Sequence, residues 1–177
     1  MNTAALEIIR IDQDTLARHL DDLCRVSIDT VAEGAAIGFI APLDPAEAER
    51  FWSRDVKAAI GSGARLLFGA LMDGKIVGTV QLVVGMPPNQ SHRAEISKMI
   101  VHPDYRQRGI GKRLLLRAFD AARRAGKTLV TLDTRTGDVS EWLYQAVGFE
   151  RAGIIPDFAL DPDGRALHAT TYMYRRL

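Results

Sequence analysis

A single α/β domain is predicted, built on one mixed sheet with helices on both faces. Three observations carry this. The 177-residue length suits one hydrophobic core and divides poorly into two. A strand–helix–strand unit from Arg93 to Thr134 implies a parallel crossover. Asp-Gly between two apolar runs, at Asp73 and Gly74, implies an antiparallel hairpin in the same sheet.

Taken in order, Leu6–Ile11 reads as a short first strand. Asp12–Val31 reads as a helix, with Leu16, Leu20, Leu23 and Ile28 forming an imperfect stripe at helical spacing. Two glycines and Pro42 make Gly34–Pro42 a loop, although Ile37, Phe39 and Ile40 are apolar. A second helix begins with Asp44 as cap, Pro45 at the first helical position and Glu47 at the third. It runs to about Ile60, where Gly-Ser-Gly ends it.

The hairpin strands follow, Arg65–Met72 and Ile76–Val84. Arg93–His102 alternates as a strand, with Ala94, Ile96, Lys98 and Ile100 on one side and Glu95, Ser97, Met99 and Val101 on the other. A long helix spans about Gly109–Ala125 and Gly126 closes it. Thr128–Thr134 is an apolar strand, Asp138–Val147 a short helix, and two final strands flank the turn at Asp161–Gly164. No repeat, low-complexity tract or linker interrupts this order.

Composition narrows the function classes. The chain is 47% hydrophobic and 25% charged, an ordinary globular balance. A net charge of +1 argues against a dedicated nucleic-acid binder. Cys24 is the only cysteine, so no internal disulfide is available. No apolar run approaches the ~20 residues of a membrane span, and the first residues lack the pattern of a secretory signal. A cytoplasmic location is expected. The histidines are dispersed without ligand spacing, so no metal site is expected.

The basic residues are nonetheless uneven. Arg106, Arg108, Lys112 and Arg113 crowd around Gly109 and Gly111 where a helix begins. A plain helix start does not explain this, because cations oppose the helix dipole there. The dinucleotide fingerprint fails, since its third glycine is Leu114. The Gly-Lys-Thr at Gly126–Thr128 fails as a phosphate loop, since its first glycine is Ala121 and it follows a helix. The pattern Arg-x-x-Gly-x-Gly from Arg106 to Gly111 fits better. Successive amides at the helix start turn toward a diphosphate, and nearby basic side chains offset its charge.

The run Lys98–Leu115 resembles the acetyl-CoA motif of the GCN5-related N-acetyltransferases (the GNAT family). A second match, Glu141–Glu150, resembles that family's aromatic–tyrosine helix followed by Gly-Phe. Together they cover about Leu66–Arg176. Over most of the chain, the segments Val31–Phe39, Asn89–Val101, Leu129–Tyr144 and Asp161–Tyr174 look like the tabtoxin-resistance type of acetyltransferase, which acts on a small amino-acid-like β-lactam.

The resemblance implies a mostly antiparallel sheet with one splayed parallel strand pair, and acetyl-CoA as cosubstrate without metal. It implies cofactor contacts from the backbone of Met99, Ile100 and Val101, with an amide near Val101 as oxyanion donor. Arg106, Gln107, Arg108, Gly109, Ile110, Gly111 and Lys112 would hold the diphosphate. Tyr144 matches the family's general acid; the alternative is a packed aromatic, the role expected of Trp142 and Phe149. Glu95 matches a carboxylate acting as base directly or through water. Asp133 is expected to share that work, bind the acceptor's ammonium or cap the next helix. Ser140 is expected either to touch cofactor or to satisfy the helix start. Phe39 is expected on the acceptor wall or packed beneath the loop. His102 either shapes the cofactor loop or lies at the surface.

The function so implied is acetylation of a primary amine on a small molecule: an amino-acid-like toxin, an antibiotic or a metabolite. Alternatives are peptide or protein N-acetylation, favoured by an open groove, and a non-catalytic acyl-CoA-binding module. A small-molecule amine is the expected partner, with no nucleic acid and no membrane, and the chain is expected as a monomer or homodimer.

Overall fold

The computed structural model describes residues 5–177. Its elements are β1 (Glu7–Ile11), α1 (Gln13–Arg18), α2 (Leu20–Ala32), α3 (Pro45–Arg50), a π-helical stretch (Phe51–Val56), α4 (Lys57–Gly61), β2 (Arg65–Met72), β3 (Lys75–Val83), β4 (Arg93–Val101), α5 (Ile110–Arg124), β5 (Leu129–Arg135), α6 (Val139–Ala146), β6 (Glu150–Leu160) and β7 (Leu167–Arg176). The seven strands form one sheet in the order β1-β2-β3-β4-β5-β7-β6. Every neighbouring pair is antiparallel except β4 with β5. The expected mixed sheet, with one parallel pair, is therefore the observed one.

Local chemistry explains most boundaries. Asp44 accepts the amides of Ala46 (2.7 Å) and Glu47 (3.3 Å), with Pro45 at the first helical position. Asp73 and Gly74 both take positive φ, 50° and 76°, which a two-residue hairpin with the right-handed strand twist requires. The first helix departs from expectation. It breaks at His19 (φ −110°), whose amide bonds to the carbonyls of Thr15 and Leu16. Asp22 then accepts both the His19 ring (3.2 Å) and the amide of Ile76 in β3 (3.0 Å), fixing α2 to the sheet.

Two apolar layers sandwich the sheet. On the face covered by α5 and α6, Phe119, Leu114, Leu115 and Ala118 pack on Phe68, Val80, Leu82, Ala94, Ile96 and Val130. On the opposite face, Leu16, Leu23, Trp52 and Val56 pack on Leu67 and Ile76. Trp52 is fully buried, and its indole N–H donates to Ser27 Oγ at 3.0 Å.

The alternation expected along β4 holds only for its first half. Gln81 of β3 pairs with Ser97, but Thr79 pairs with Ile100, so β4 carries one extra residue. Lys98 sits in that bulge with φ +46°, a conformation that costs a side-chain-bearing residue on the order of 1–3 kcal/mol. The bulge reverses the phase. Ala94 and Ile96 face α5, and beyond the bulge so do Met99 and Val101. Glu95 and Ser97 face the other way, now joined by Ile100 rather than Met99.

The aromatic residues of the α6 region also divide differently from expectation. Phe149 is buried, in contact with Phe119 and Tyr144. Trp142 is 74% exposed. Glu141, Tyr144 and Val147 recur at the three-residue spacing of the buried stripe, and one residue advances about 100° around a helix, which turns Trp142 outward. Phe119→Ala should therefore destabilise the protein by about 3–5 kcal/mol, while Trp142→Ala should stay within about 0.5 kcal/mol. Urea unfolding of the two variants beside the parent chain measures both.

Candidate active site

The parallel pairing of β4 with β5 is short. Arg93, Ala94 and Glu95 pair with Leu129, Val130 and Thr131, and no further pair follows. Beyond that point the strands part, and a cleft of about 910 Å³ opens between them. One end is lined by Met99–Val101, the α5 start and α6. The other is lined by 34–40, Glu95, Ser97, Lys98, Asp133 and the tips of β6 and β7.

The strand edge that faces the gap can be assigned from the ladder. His102 donates its amide to Val77 of β3 (2.9 Å), and backbone groups alternate sides along a strand. Ile100 therefore bonds toward β3, and Met99 and Val101 present their N–H and C=O groups to the opening. Arg106 Nε donates to the Val101 carbonyl on that side (3.3 Å). Of the three expected backbone contacts, the Ile100 backbone is thus turned away, although the residue still lines the cleft.

The α5 start has the form of an anion cradle. Gln107 (φ 60°) and Gly109 (φ 73°) take left-handed conformations, which turn successive amides to one side. Among the described residues, the amides of Gln107, Arg108, Gly109, Ile110, Gly111 and Lys112 have no protein acceptor. No acidic residue stands in the first turn of α5. Donors left unpaired at a positive helix end fit a diphosphate.

The two glycines serve different purposes. Nothing lies within 4 Å of where a Gly109 side chain would begin, so its left-handed backbone is what calls for glycine there. At Gly111 a Cβ would meet Leu143 Cδ2 at 2.9 Å, so that glycine lets α5 pack against α6. Arg108 turns its guanidinium back to the Asp104 carbonyl (3.1 Å) and over the Tyr105 ring (5.2 Å). Its amide remains unpaired at the cradle.

His102 is buried, not at the surface. Its Nδ1 accepts the Asp104 amide (3.2 Å), and Nε2 lies 2.9 Å from Asp29 Oδ2. It thereby ties the end of α2 to the turn that leads into the cradle.

Glu95 and Asp133 both line the cleft on one face of the sheet. Asp133 lies two residues beyond Thr131, the partner of Glu95. Arg93 Nη1 reaches Glu95 Oε2 at 3.4 Å, and Thr170 Oγ1 donates to Asp133 Oδ2 at 3.3 Å. Asp133 makes no cap to α6, whose N-cap is Asp138. Ser140 lines the cleft and shares a 2.8 Å hydrogen bond with Thr134 Oγ1.

Tyr144 is 6% exposed, and its hydroxyl has no hydrogen-bond partner among the described residues. Burial, with Asp133 and Asp138 adding to it, pushes its pKa well above the usual phenol value. The hydroxyl stays protonated at neutral pH, which an acid requires.

Phe39 lines the cleft and packs edge-on against Phe51 (5.3 Å), so it serves both as wall and as packing. Lys98 also lines the cleft, and sequence reasoning passed over it. Its signal was a lysine on the side of the strand otherwise held by Ala94, Ile96 and Ile100, read there as simple alternation. Burial, with Arg65 adding to it, lowers its pKa; Asp133 opposes the shift.

Residues 39–149 match the acetyltransferase (GNAT) family. An uncharacterised N-acetyltransferase from the hisH–hisA intergenic region of Azospirillum brasilense is 34% identical over 66% of this chain and 68% of its own. The N-alpha-acetyltransferase RimI of Mycobacterium tuberculosis is 38% identical over 49% of this chain and 52% of its own. Among solved structures, the yncA protein of Salmonella typhimurium, determined with its cofactor acetyl-CoA, superposes with a TM-score of 0.78 at 21% identity, covering 98% of this chain and 95% of that one. The ribosomal-protein-alanine N-acetyltransferase of Brucella melitensis superposes equally well, with a TM-score of 0.78 at 21% identity over 97% of this chain and 99% of that one.

One buried carboxylate anchors the α6 wall. Burial opposes ionisation of Glu141, but the Gly137 amide (2.9 Å), Thr171 hydroxyl (2.8 Å) and Arg151 (2.7 Å) all donate to it and hold its pKa below the usual value. A depressed carboxyl pKa stabilises the fold above the unfolded pKa, and that contribution is lost as pH falls through the folded value. Glu141→Gln should cost about 1–3 kcal/mol at pH 7 and much less at pH 3. Chemical denaturation of both proteins at the two pH values tests this.

Proposed function

The chain belongs to the GNAT family of acetyltransferases, and from that premise we propose that its acceptor is the primary amine of a small molecule. The enzyme is an acyltransferase that takes its acetyl group from acetyl-CoA. The observation that carries the small-molecule reading is a bridge over the acceptor end of the cleft. Ala41 donates its amide to the Pro162 carbonyl at 2.7 Å, joining the loop after α2 to the β6–β7 turn. Residues 34–40 and Phe158–Leu160 line the same space from these two elements. A bridged pocket suits a compact amine better than an extended peptide. The wide resemblance to tabtoxin-resistance acetyltransferases supports an amino-acid-like toxin, antibiotic or metabolite. Peptide N-termini remain the second reading, since relatives such as RimI carry that activity in their names.

In this reading the thioester supplies an acetyl group activated toward a neutral amine. The amides of Gln107–Lys112, with Arg106 and Lys112, bind the diphosphate. The open edge at Met99 and Val101 binds the pantetheine arm, and the Val101 amide donates to the thioester oxygen as it gains charge. Glu95, directly or through water, takes the proton of the attacking ammonium. Asp133 attracts that ammonium into place. Tyr144 donates its proton to the departing sulfur. Ser140 contacts the cofactor beside it, and Phe39 walls the acceptor.

An amine panel that includes amino acids, amino sugars, polyamines and a peptide N-terminus, scored by product mass, tests the acceptor class. Acetylation of the peptide alone would overturn the small-molecule reading. Gly109→Asp places a carboxylate in the cradle and should abolish acetyl-CoA binding in calorimetry while the chain stays folded. Tyr144→Phe should keep cofactor affinity and lower kcat by roughly 10- to 10³-fold. Glu95→Gln should lose most at low pH, where the amine is protonated, and recover as pH rises. A flat ratio to the parent across pH would remove Glu95 as the base. Asp133→Asn should raise KM for cationic acceptors before it lowers kcat.

A further inference from the structure

The acceptor end of the cleft holds a cation that the reaction just described does not use. Arg135 also lines this end, but it is paired with Asp161 through contacts of 2.7 and 3.2 Å. His168 shares its Nδ1 with the Ala169 carbonyl (3.0 Å). Behind them, Arg93 is engaged with Glu95, and Arg65 with Gln81. Arg106 and Lys112 lie at the cradle end. Among the described residues, Lys98 is the cation of the acceptor end with neither a carboxylate partner nor a strand position that carries it outward.

Its surroundings are built rather than incidental. The left-handed backbone at the β4 bulge brings the side chain to the cleft. The ammonium stands 5.6 Å from the centre of the Phe39 ring and 5.8 Å from that of Phe51. It donates to the Ile37 carbonyl. Gly38 makes room for it, because a Cβ there would lie 2.9 Å from Nζ. An ammonium has three donors, and one is spent on Ile37. Two aromatic faces and a carbonyl lessen the cost of enclosing a charge, but they do not neutralise it. A ligand anion would.

We infer that Lys98 recognises an anionic group on the acceptor, so that the preferred substrate is an amine bearing a carboxylate, with its ammonium drawn to Asp133 and Glu95 and its carboxylate to Lys98. This rests on the small-amine reading above and narrows it. Among the described residues, it places an acidic pair and one cation without a carboxylate partner at the same end of the cleft, an arrangement complementary to a zwitterion and poorly suited to a polycation. Lys98 is then a specificity residue, with no part in moving the proton.

The experiment uses matched pairs: L-amino acids and their own carboxamides, offered with acetyl-CoA. The amide is the less basic amine, so its chemistry alone favours acetylation of the amide. The parent enzyme should instead show a kcat/KM at least tenfold higher for the carboxylate of the best pair. Lys98→Met should raise KM for that carboxylate by roughly 10- to 100-fold, the range of a charge-assisted hydrogen bond. It should leave KM for the amide, and kcat at saturation, nearly unchanged. If the parent enzyme acetylates acid and amide equally, the inference fails while the small-amine reading stands, and this holds whether or not the variant folds. If Lys98→Met raises both KM values alike, Lys98 only pins the loop at Ile37, and the inference fails. If peptides alone are acetylated, both readings fall together.

Discussion

The β4–β5 ladder stops after Glu95 and Thr131, and the rest of the site follows from that early stop. Parallel strands normally continue to exchange backbone hydrogen bonds until one of them ends. Here β4 carries an extra residue at Lys98 that shifts its register with β3 by one, and a bulge bends and twists the strand that holds it. The pairing with β5 is what gives way. The edge at Met99 and Val101 is left without a strand partner, and the gap gives α5 and α6 a cavity to face. Continuous pairing would close the cleft and tie up the Met99 and Val101 backbone groups in the ladder.

This constraint also sorts the charges. Acids sit at the apex of the gap, on one face of the sheet. The unpaired amides and basic side chains sit at the α5 start. Cations beside a helix N-terminus are unfavourable in the free protein. A bound diphosphate reverses that sign, so the local destabilisation is the counterpart of affinity. His102 and Asp29 hold the turn into the cradle while it carries that repulsion.

Much of this was legible in the sequence where the cause is local. Asp44 with Pro45, Asp73 with Gly74, and Gly109 after a basic run each specify their geometry within a few residues. Glu95, Asp133, Tyr144 and Phe39 were reached through the family's pattern, and all line one cleft. What escaped depends on partners far along the chain. The bulge at Lys98 lies in the pairing of β4 with β3, invisible in a run that alternates well on paper. Burial of His102 depends on Asp29, in a helix that no local rule brings beside it. The exposure of Trp142 overrides a strong apolar preference, because Glu141 takes the inward place for its three hydrogen bonds.

The π-helical stretch at Phe51–Val56 joins α3 to α4 without a turn. A widened turn holds one residue more than an α-helical turn, which displaces all that follows by about 100° around the axis. In this setting Phe51 reaches Phe39 on the cleft wall, while Trp52 stays wholly inside the core and Val56 returns to the same layer. Deleting a single amino acid here would restore an ordinary helix and leave either the wall or the core without its side chain. An alignment with any homologue that lacks the widened turn would therefore require a one-residue gap inside an unbroken helix, where gaps are usually forbidden.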